Sequence, residues 1–257
     1  MDKKKFKRSI SFLVVIFLMV TISLRHTIPV SADSQGTSAW YPYTYSNGKA
    51  IMDAAGEKGI SPPNSDISSG LASGTGTLPS VYLNSDGTNV YFRLRVAGNP
   101  SDPTKGGFSS AYMIAIGING TQQAVVGLDG KSSSTDTVYV TNADGSVTNI
   151  IYSSPDGNTK PFGTNITQVG TEYFVDFQVP ISCITALVPA ITAATPVQLF
   201  YGTSQAANLS VINKDFMTGA IVDFTGLAVV TMSDVTAHQL QQIIQLQQIL
   251  ILLYPDL

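Results

Sequence analysis

The chain has 257 residues, with 14 Lys and Arg against 17 Asp and Glu and a net charge of −3. That balance excludes the basic surface that nucleic-acid binders carry. A single cysteine, Cys183, excludes a disulfide framework, and two histidines, His26 and His238, exclude zinc-ligand spacing and argue against a Ser-His-Asp or Cys-His catalytic system.

Residues 1–32 read as a secretory signal. Lys3, Lys4, Lys5, Lys7 and Arg8 form a basic start, Ile10 to Leu24 an apolar run, and Val30-Ser31-Ala32 a small-x-small cleavage site. The apolar run is shorter than the roughly 20 residues that span a bilayer, and Arg25 ends it. The expected product is secreted or held at the cell surface, begins at Asp33, and meets the membrane only through this transient segment. The leader holds six of the Lys and Arg but one acidic residue, so the rest of the chain has a net charge near −8. Such a charge keeps a protein soluble and favours divalent cations over polyanions.

Residues 33–78 are rich in Ser, Gly and Pro and read as largely irregular, with one helical turn expected over Ile51 to Glu57 and loops at Pro62-Pro63-Asn64 and Gly70 to Gly76. Trp40-Tyr41-Pro42-Tyr43-Thr44-Tyr45 stands out of this background. It suits either an exposed aromatic platform, with Trp40 and Tyr43 stacking on a sugar, or a first strand pinned into the core.

The segment Thr88 to Val96 alternates strictly. Val90, Phe92, Leu94 and Val96 project to one side of a strand, and Tyr91, Arg93 and Arg95 to the other. The apolar row predicts a core face. The second row has two readings: a ligand-binding face in which Tyr91 stacks on a ring and the two arginines donate paired hydrogen bonds, or a solvated sheet face with ion pairs to Glu172 and Asp176.

A turn-rich loop over Gly98 to Gly107 leads to Ala111 to Ile118, apolar on both faces and therefore a central strand buried on both sides. Short strands follow at Gln123 to Leu128, Thr137 to Thr141, Val147 to Tyr152, Tyr173 to Val179, Val197 to Tyr201 and Ala220 to Thr231. Turns are expected at Asp86-Gly87, Asn119-Gly120, Asp129-Gly130, Asp144-Gly145 and Asp156-Gly157, dipeptides that accept the positive φ of tight hairpins. Only Pro180 to Leu187 looks helical before residue 233, so a parallel α/β fold is poorly supported. Cys183, among Ile181, Ile184 and Leu187, reads as a small buried hydrophobe.

From Asp234, a plausible N-cap, Leu240, Ile243, Ile244, Leu246, Leu250, Ile251 and Leu253 fall on one half of a helical wheel and glutamines lie opposite. This amphipathic helix, 233–257, can pack on the sandwich or drive self-association through Leu240, Ile243, Ile244 and Leu250. Interfacial membrane binding is disfavoured by the lack of Lys and Arg. Six glutamines and no glycine after Gly226 also mark an abrupt compositional shift, of the kind a truncated or frame-shifted longer gene produces.

Chemistry is sparse. Beyond the leader only Glu57 and Glu172 are glutamates, and Asp176 shares a strand face with Glu172, a pair that cross-strand charge partners explain more cheaply than glycoside hydrolysis. The chain is expected to be non-catalytic and to need no cofactor. Asp86, Asp129, Asp136, Asp144 and Asp156 lie in or beside turns and leave a structural calcium open, although no Asp-x-Asp-x-Asp-Gly loop is present.

The run Asp86 to Val96, the strand Tyr112 to Ile118, Tyr173 to Pro180 passing into Ile181 to Leu187, then Leu199 to Ser204 and Asn213 to Phe216, resembles the sandwich modules at the N-termini of Gram-positive secreted and cell-surface proteins. Those modules are themselves similar to DOMON-type and family-nine-like carbohydrate-binding modules. The resemblance spans about residues 80 to 230 and implies fold more than function, and Trp40, the only Trp, leaves no tryptophan pair to sandwich a sugar. The expected fold class is all-β, an antiparallel β-sandwich of jelly-roll or immunoglobulin-like type over 79–232, with a C-terminal amphipathic α-helix. The expected function is a non-catalytic extracellular module binding carbohydrate or another envelope component. The alternative is a structural cell- or spore-surface protein that self-assembles through its C-terminal helix.

Overall fold

The computed structural model describes residues 40–53, 62–69, 78–102, 107–131, 135–155, 159–219 and 221–233. The expected signal segment and, beyond Ser233, the expected C-terminal helix with Leu240, Ile243, Ile244 and Leu250 lie outside them.

The described residues form two antiparallel sheets. One has the order β1 (Tyr41–Pro42), β2 (Val81–Ser85), β3 (Asn89–Val96), β9 (Glu172–Pro180), β8 (Thr164–Val169). The other runs β11 (Asp215–Phe216), β10 (Gln198–Ser204), β4 (Ala111–Ile118), β5 (Thr121–Asp129), β6 (Thr137–Asn142), β7 (Thr148–Ser153). A short helix, α1 (Ile181–Leu187), follows β9 directly, where Pro180 ends the ladder and its fixed φ starts the turn.

The turn chemistry accounts for three hairpins. Asn119 and Gly120 both adopt positive φ, 51° and 77°, between β4 and β5, while Gly87 (φ 80°) and Gly145 (φ 78°) turn β2 into β3 and β6 into β7. Asp129-Gly130 opens the longer connection from β5 to β6, which pair antiparallel from Asp129 opposite Thr137, and Gly130 lies against Phe108, where a Cβ would come within 2.3 Å of the Phe108 Cβ. Asp156-Gly157 falls outside the described residues.

The apolar row of β3 is buried as alternation requires: Val90, Phe92, Leu94 and Val96 join Val175, Phe177 and Val179 of β9 in a core shared with Ile114, Ile116, Val126, Val140, Leu199 and Tyr201 of the other sheet. Burying each such side chain contributes about 1.5–3 kcal/mol. β4 lies centrally and is buried on both faces, because the second sheet also has a covered back. Gly127 leaves space that the Tyr139 ring fills, its hydroxyl only 2.5 Å from where a Cβ would sit, and that hydroxyl donates to the Leu209 carbonyl at 3.0 Å.

Several expectations are corrected or extended. The described part of 33–78, largely irregular, also contributes to the core: Ile51 and Ile67 are fully buried and Ile67 bridges Val96. Residues 51–53 are not helical, and 54–57 are outside the described set. Ala220 to Thr231 is no regular strand. It crosses one side of the sandwich instead: Leu227 bridges Tyr45, Ala228 N–H donates to the Thr44 carbonyl at 3.0 Å, and Val230 and Val197 exchange backbone bonds of 2.8 and 2.9 Å. β2 and β8 carry no clear sequence signal, β2 because it adjoins a Gly/Ser-rich stretch and β8 because Thr-Asn-Ile-Thr-Gln-Val is mostly polar and forms a sheet edge.

Candidate functional site

The row Tyr91, Arg93, Arg95 was expected to face solvent or a ligand, and the structure corrects this. Arg93 is 0% exposed and Arg95 4%, because the back of the first sheet carries a second, aromatic layer made of Trp40, Tyr82, Tyr91 and Phe174. The ladder explains the grouping. Pairing Arg93 with Tyr82 and Asp176, and Arg95 with Phe174, puts these side chains on one face.

Two guanidinium groups and two rings interleave there. The Arg93 Cζ lies 4.3 Å from the Trp40 ring centroid and 4.5 Å from that of Phe174, and the Arg95 Cζ lies 4.4 Å from the opposite partner of the stack, Phe174 again. Tyr82 meets Phe174 edge-on, at 5.7 Å and 88°. Arg93 donates a fork to Asp176, Nε to Oδ1 at 2.6 Å and Nη2 to Oδ2 at 2.7 Å. Arg95 donates to Glu172 Oε2 at 3.3 Å and to the Pro79 carbonyl, also at 3.3 Å, while the Ser68 hydroxyl donates to Glu172 Oε1. The expected ion partners are thus the actual ones, but in an interior setting rather than a solvated one.

Tyr91 is held at the margin of this layer. Its hydroxyl donates to Asp86 Oδ2 at 2.8 Å, and burial together with that bond pushes it up to about 12. On Asp86, burial acts upward, but the N–H groups of Asn89 and Thr88 and the Tyr91 hydroxyl outweigh it and hold the carboxyl below its usual value. Trp40 and Tyr43, the other candidate ligand-binding residues, are 1% and 2% exposed and follow the pinned-strand reading. Tyr43 sits in the main core, where its hydroxyl donates to the Ala228 carbonyl at 2.6 Å and accepts from Leu199 N–H at 3.0 Å. Burial raises it far above the ordinary tyrosine value.

The turn aspartates accept from backbone donors. Asp129 accepts from Lys131 N–H, the buried Asp136 from Phe108 N–H at 2.6 Å, and Asp144 from Ser146 N–H. Asp156 lies outside the described residues. Among the described residues no three His, Cys, Asp or Glu side chains converge on a point a metal ion could occupy.

An open cleft of about 310 Å³ lies at one end of the sandwich, lined by Pro62, Pro63, Asn64, Gly98, Asn99, Ser101 and Ser109. Two loops build it. A single 3-10 turn, Pro63–Ser65, starts at a proline as such turns favour, and the chain leaving β3 docks on it through Gly98 N–H to the Pro63 carbonyl at 3.0 Å. Gly98 permits that approach, since a Cβ would lie 2.7 Å from Asn64 N. Asn64 is fixed beneath: its side-chain amide donates to the Ser109 hydroxyl, and its carbonyl accepts from Tyr112 Oη–H at 2.8 Å. Asn99 and the two prolines are exposed, with Ser101 and Ser109 half-buried beside them.

Among the described residues the cleft offers hydroxyl and amide groups against pyrrolidine walls, and none of its described lining residues has a titratable side chain, so the chemistry they supply is neutral hydrogen bonding. Sequence reasoning placed Pro62 to Asn64 and Gly98 to Ser101 in separate loops; the pairing of Ile67 with Val96, with the backbone bonds from Ala97 N–H to the Asp66 carbonyl and Gly98 N–H to the Pro63 carbonyl, brings them together. Compared with protein-family models, curated proteins and solved structures, the chain finds no match.

Proposed function

We propose that this protein is a secreted or cell-surface, non-catalytic β-sandwich module, of the jelly-roll or immunoglobulin-like type found in DOMON-like and family-nine-like carbohydrate-binding modules. It binds a neutral carbohydrate of the cell envelope through the end cleft. The observation that carries this reading is the cleft lining: Asn99, Ser101 and Ser109 supply uncharged donors and acceptors, and Pro62 and Pro63 an apolar wall for the C–H face of a sugar ring. Loops at the end of a rigid sandwich are where such modules carry variable recognition. The burial of Trp40, Tyr43, Tyr91, Arg93 and Arg95 supports assigning them to the scaffold and recognition to the cleft. The N-terminal basic, apolar and small-x-small segments support export.

Titration of the purified chain with cell-wall polysaccharides tests this. Binding is expected, with affinity falling about tenfold or more in Asn99→Ala and Ser101→Ala at unchanged melting temperature. Absence of binding, or binding indifferent to both changes, contradicts the proposal. A second reading, a structural surface protein assembling through Leu240, Ile243, Ile244 and Leu250, rests on the charge-free amphipathic stretch between Asp234 and Asp256.

A further inference from the structure

The residues lining the end cleft fix one another's hydrogen-bonding sense. Asn99 closes its own turn, its Oδ1 accepting from Ser101 N–H at 3.0 Å. Only the amide oxygen can meet an N–H donor, so the side chain is held one way round and its NH2 is left as a donor to the cleft that Asn99 lines. Ser109 has the opposite character. Its hydroxyl gives its one proton to the Pro100 carbonyl at 3.0 Å and accepts from the Asn64 side-chain amide, so a single lone pair remains and Ser109 can only accept. That proton also places the two groups. Pro100 follows Asn99 directly, so the accepting hydroxyl lies against the residue next to the donating amide. Pro62 and Pro63 wall the same cleft with pyrrolidine rings.

A donor, an acceptor and an apolar wall side by side complement a secondary amide that ends in a methyl group. A plain sugar hydroxyl donates and accepts through one atom, so it gains nothing from a fixed polarity. An acetamido group is answered at every part: its carbonyl accepts from Asn99, its N–H donates to Ser109, and its methyl packs on the prolines. A peptide carries the same amide, but peptides commonly add along an exposed strand edge. This cleft is built instead from a 3-10 turn and the loop that leaves β3. Its volume of about 310 Å³ is at the small end for ligand sites, room for a substituted ring rather than a length of chain.

We propose that the cleft selects an acetamido sugar, with Asn99 and Ser109 reading the acetamido group. The inference rests on the carbohydrate reading of the cleft and names the substituent recognised there. Ser101, whose hydroxyl rotates to donate or accept, serves the ring hydroxyls.

Calorimetric titration of the full chain with two β-1,4-linked oligosaccharides of equal length, one of N-acetylglucosamine and one of glucose, tests this. The first is expected to bind about tenfold or more tightly than the second, because a site built around a donor and an acceptor rejects the analogue that lacks their partners. Asn99→Asp keeps the oxygen that Ser101 N–H needs but turns the donor into an acceptor. It is expected to bring the N-acetylglucosamine oligomer down to the affinity of the glucose oligomer at unchanged melting temperature. Equal affinity of the wild type for the two oligomers overturns the inference and leaves the carbohydrate reading standing, as does a preference that survives in Asn99→Asp. N-acetylalanine methylamide binding as tightly as the N-acetylglucosamine oligomer overturns it in favour of a peptide ligand. Absence of binding to any glycan, cell-wall polysaccharides included, overturns both.

Discussion

The two rows of β3 are equally buried and held by different physics. Val90, Phe92, Leu94 and Val96 lose water to other apolar groups, so each contributes in proportion to area and no partner is obligatory. Arg93 and Arg95 lose water too, but their charge has to be answered, by the Asp176 fork, by Glu172, and by the rings of Trp40 and Phe174. Removing a methyl group from the first row leaves a gap; removing one member of the second leaves a buried charge. The comparison teaches that an alternating strand with cations on one side need not have a wet side when aromatic residues from elsewhere in the chain close over it.

The largest expected effects set the two rows against each other directly. Phe92→Ala and Arg93→Ala are each expected to cost about 3–5 kcal/mol in urea unfolding, the first through a cavity and the second by stranding Asp176. A loss under about 1 kcal/mol for Arg93→Ala would return that row to solvent. Trp40→Ala should cost about 3 kcal/mol, since it opens one face of the Arg93 stack and unpins β1. Arg95→Ala is expected to cost less, about 1–3 kcal/mol, because its contact to Glu172 is long and single, and Arg95→Lys should recover only part of it.

Smaller effects follow at the margins. The Tyr91 hydroxyl is raised to about 12 in the folded protein, so its share of stability is complete below its unfolded value of about 10 and is lost as pH rises from there toward 12. Tyr91→Phe should therefore reduce the fall in melting temperature over that interval, and an unchanged alkaline limb would show that the hydroxyl is wet. Asp86 has the opposite sign: its lowered pKa gives stability above the unfolded value of about 3.9 that is lost on acidification, and Asp86→Asn should flatten that acid limb. Smallest of all, Asn99→Ala should shift stability by no more than about 0.5 kcal/mol while weakening polysaccharide binding, which separates cleft from scaffold.

Much of the scaffold is legible in the sequence because period-two alternation and turn dipeptides are local signals. β3, β4 and β9, and the turns at Gly87, Gly120 and Gly145, are read within a residue or two. Asp176 and Glu172 are legible as arginine partners because they share a strand face. What alternation does not carry is the cover. Trp40 arrives from far upstream and Phe174 from far downstream, and no local pattern says they meet over Arg93. The cleft is hidden for the same reason, since its two loops become neighbours through the Ile67–Val96 bridge and the long-range backbone bonds beside it. Strands β2 and β8 and the crossing segment 227–230 are fixed by pairing partners rather than by their own residue patterns.

A double-mutant cycle on Arg93 and Asp176 tests the interior status of the second row most directly. Arg93→Met and Asp176→Leu are each expected to destabilise by about 3–5 kcal/mol, and the double variant to lie within about 2 kcal/mol of the wild type, because an apolar pair fits a buried site that a lone charge does not. Two small and additive losses would contradict the account and restore Arg93 to the surface.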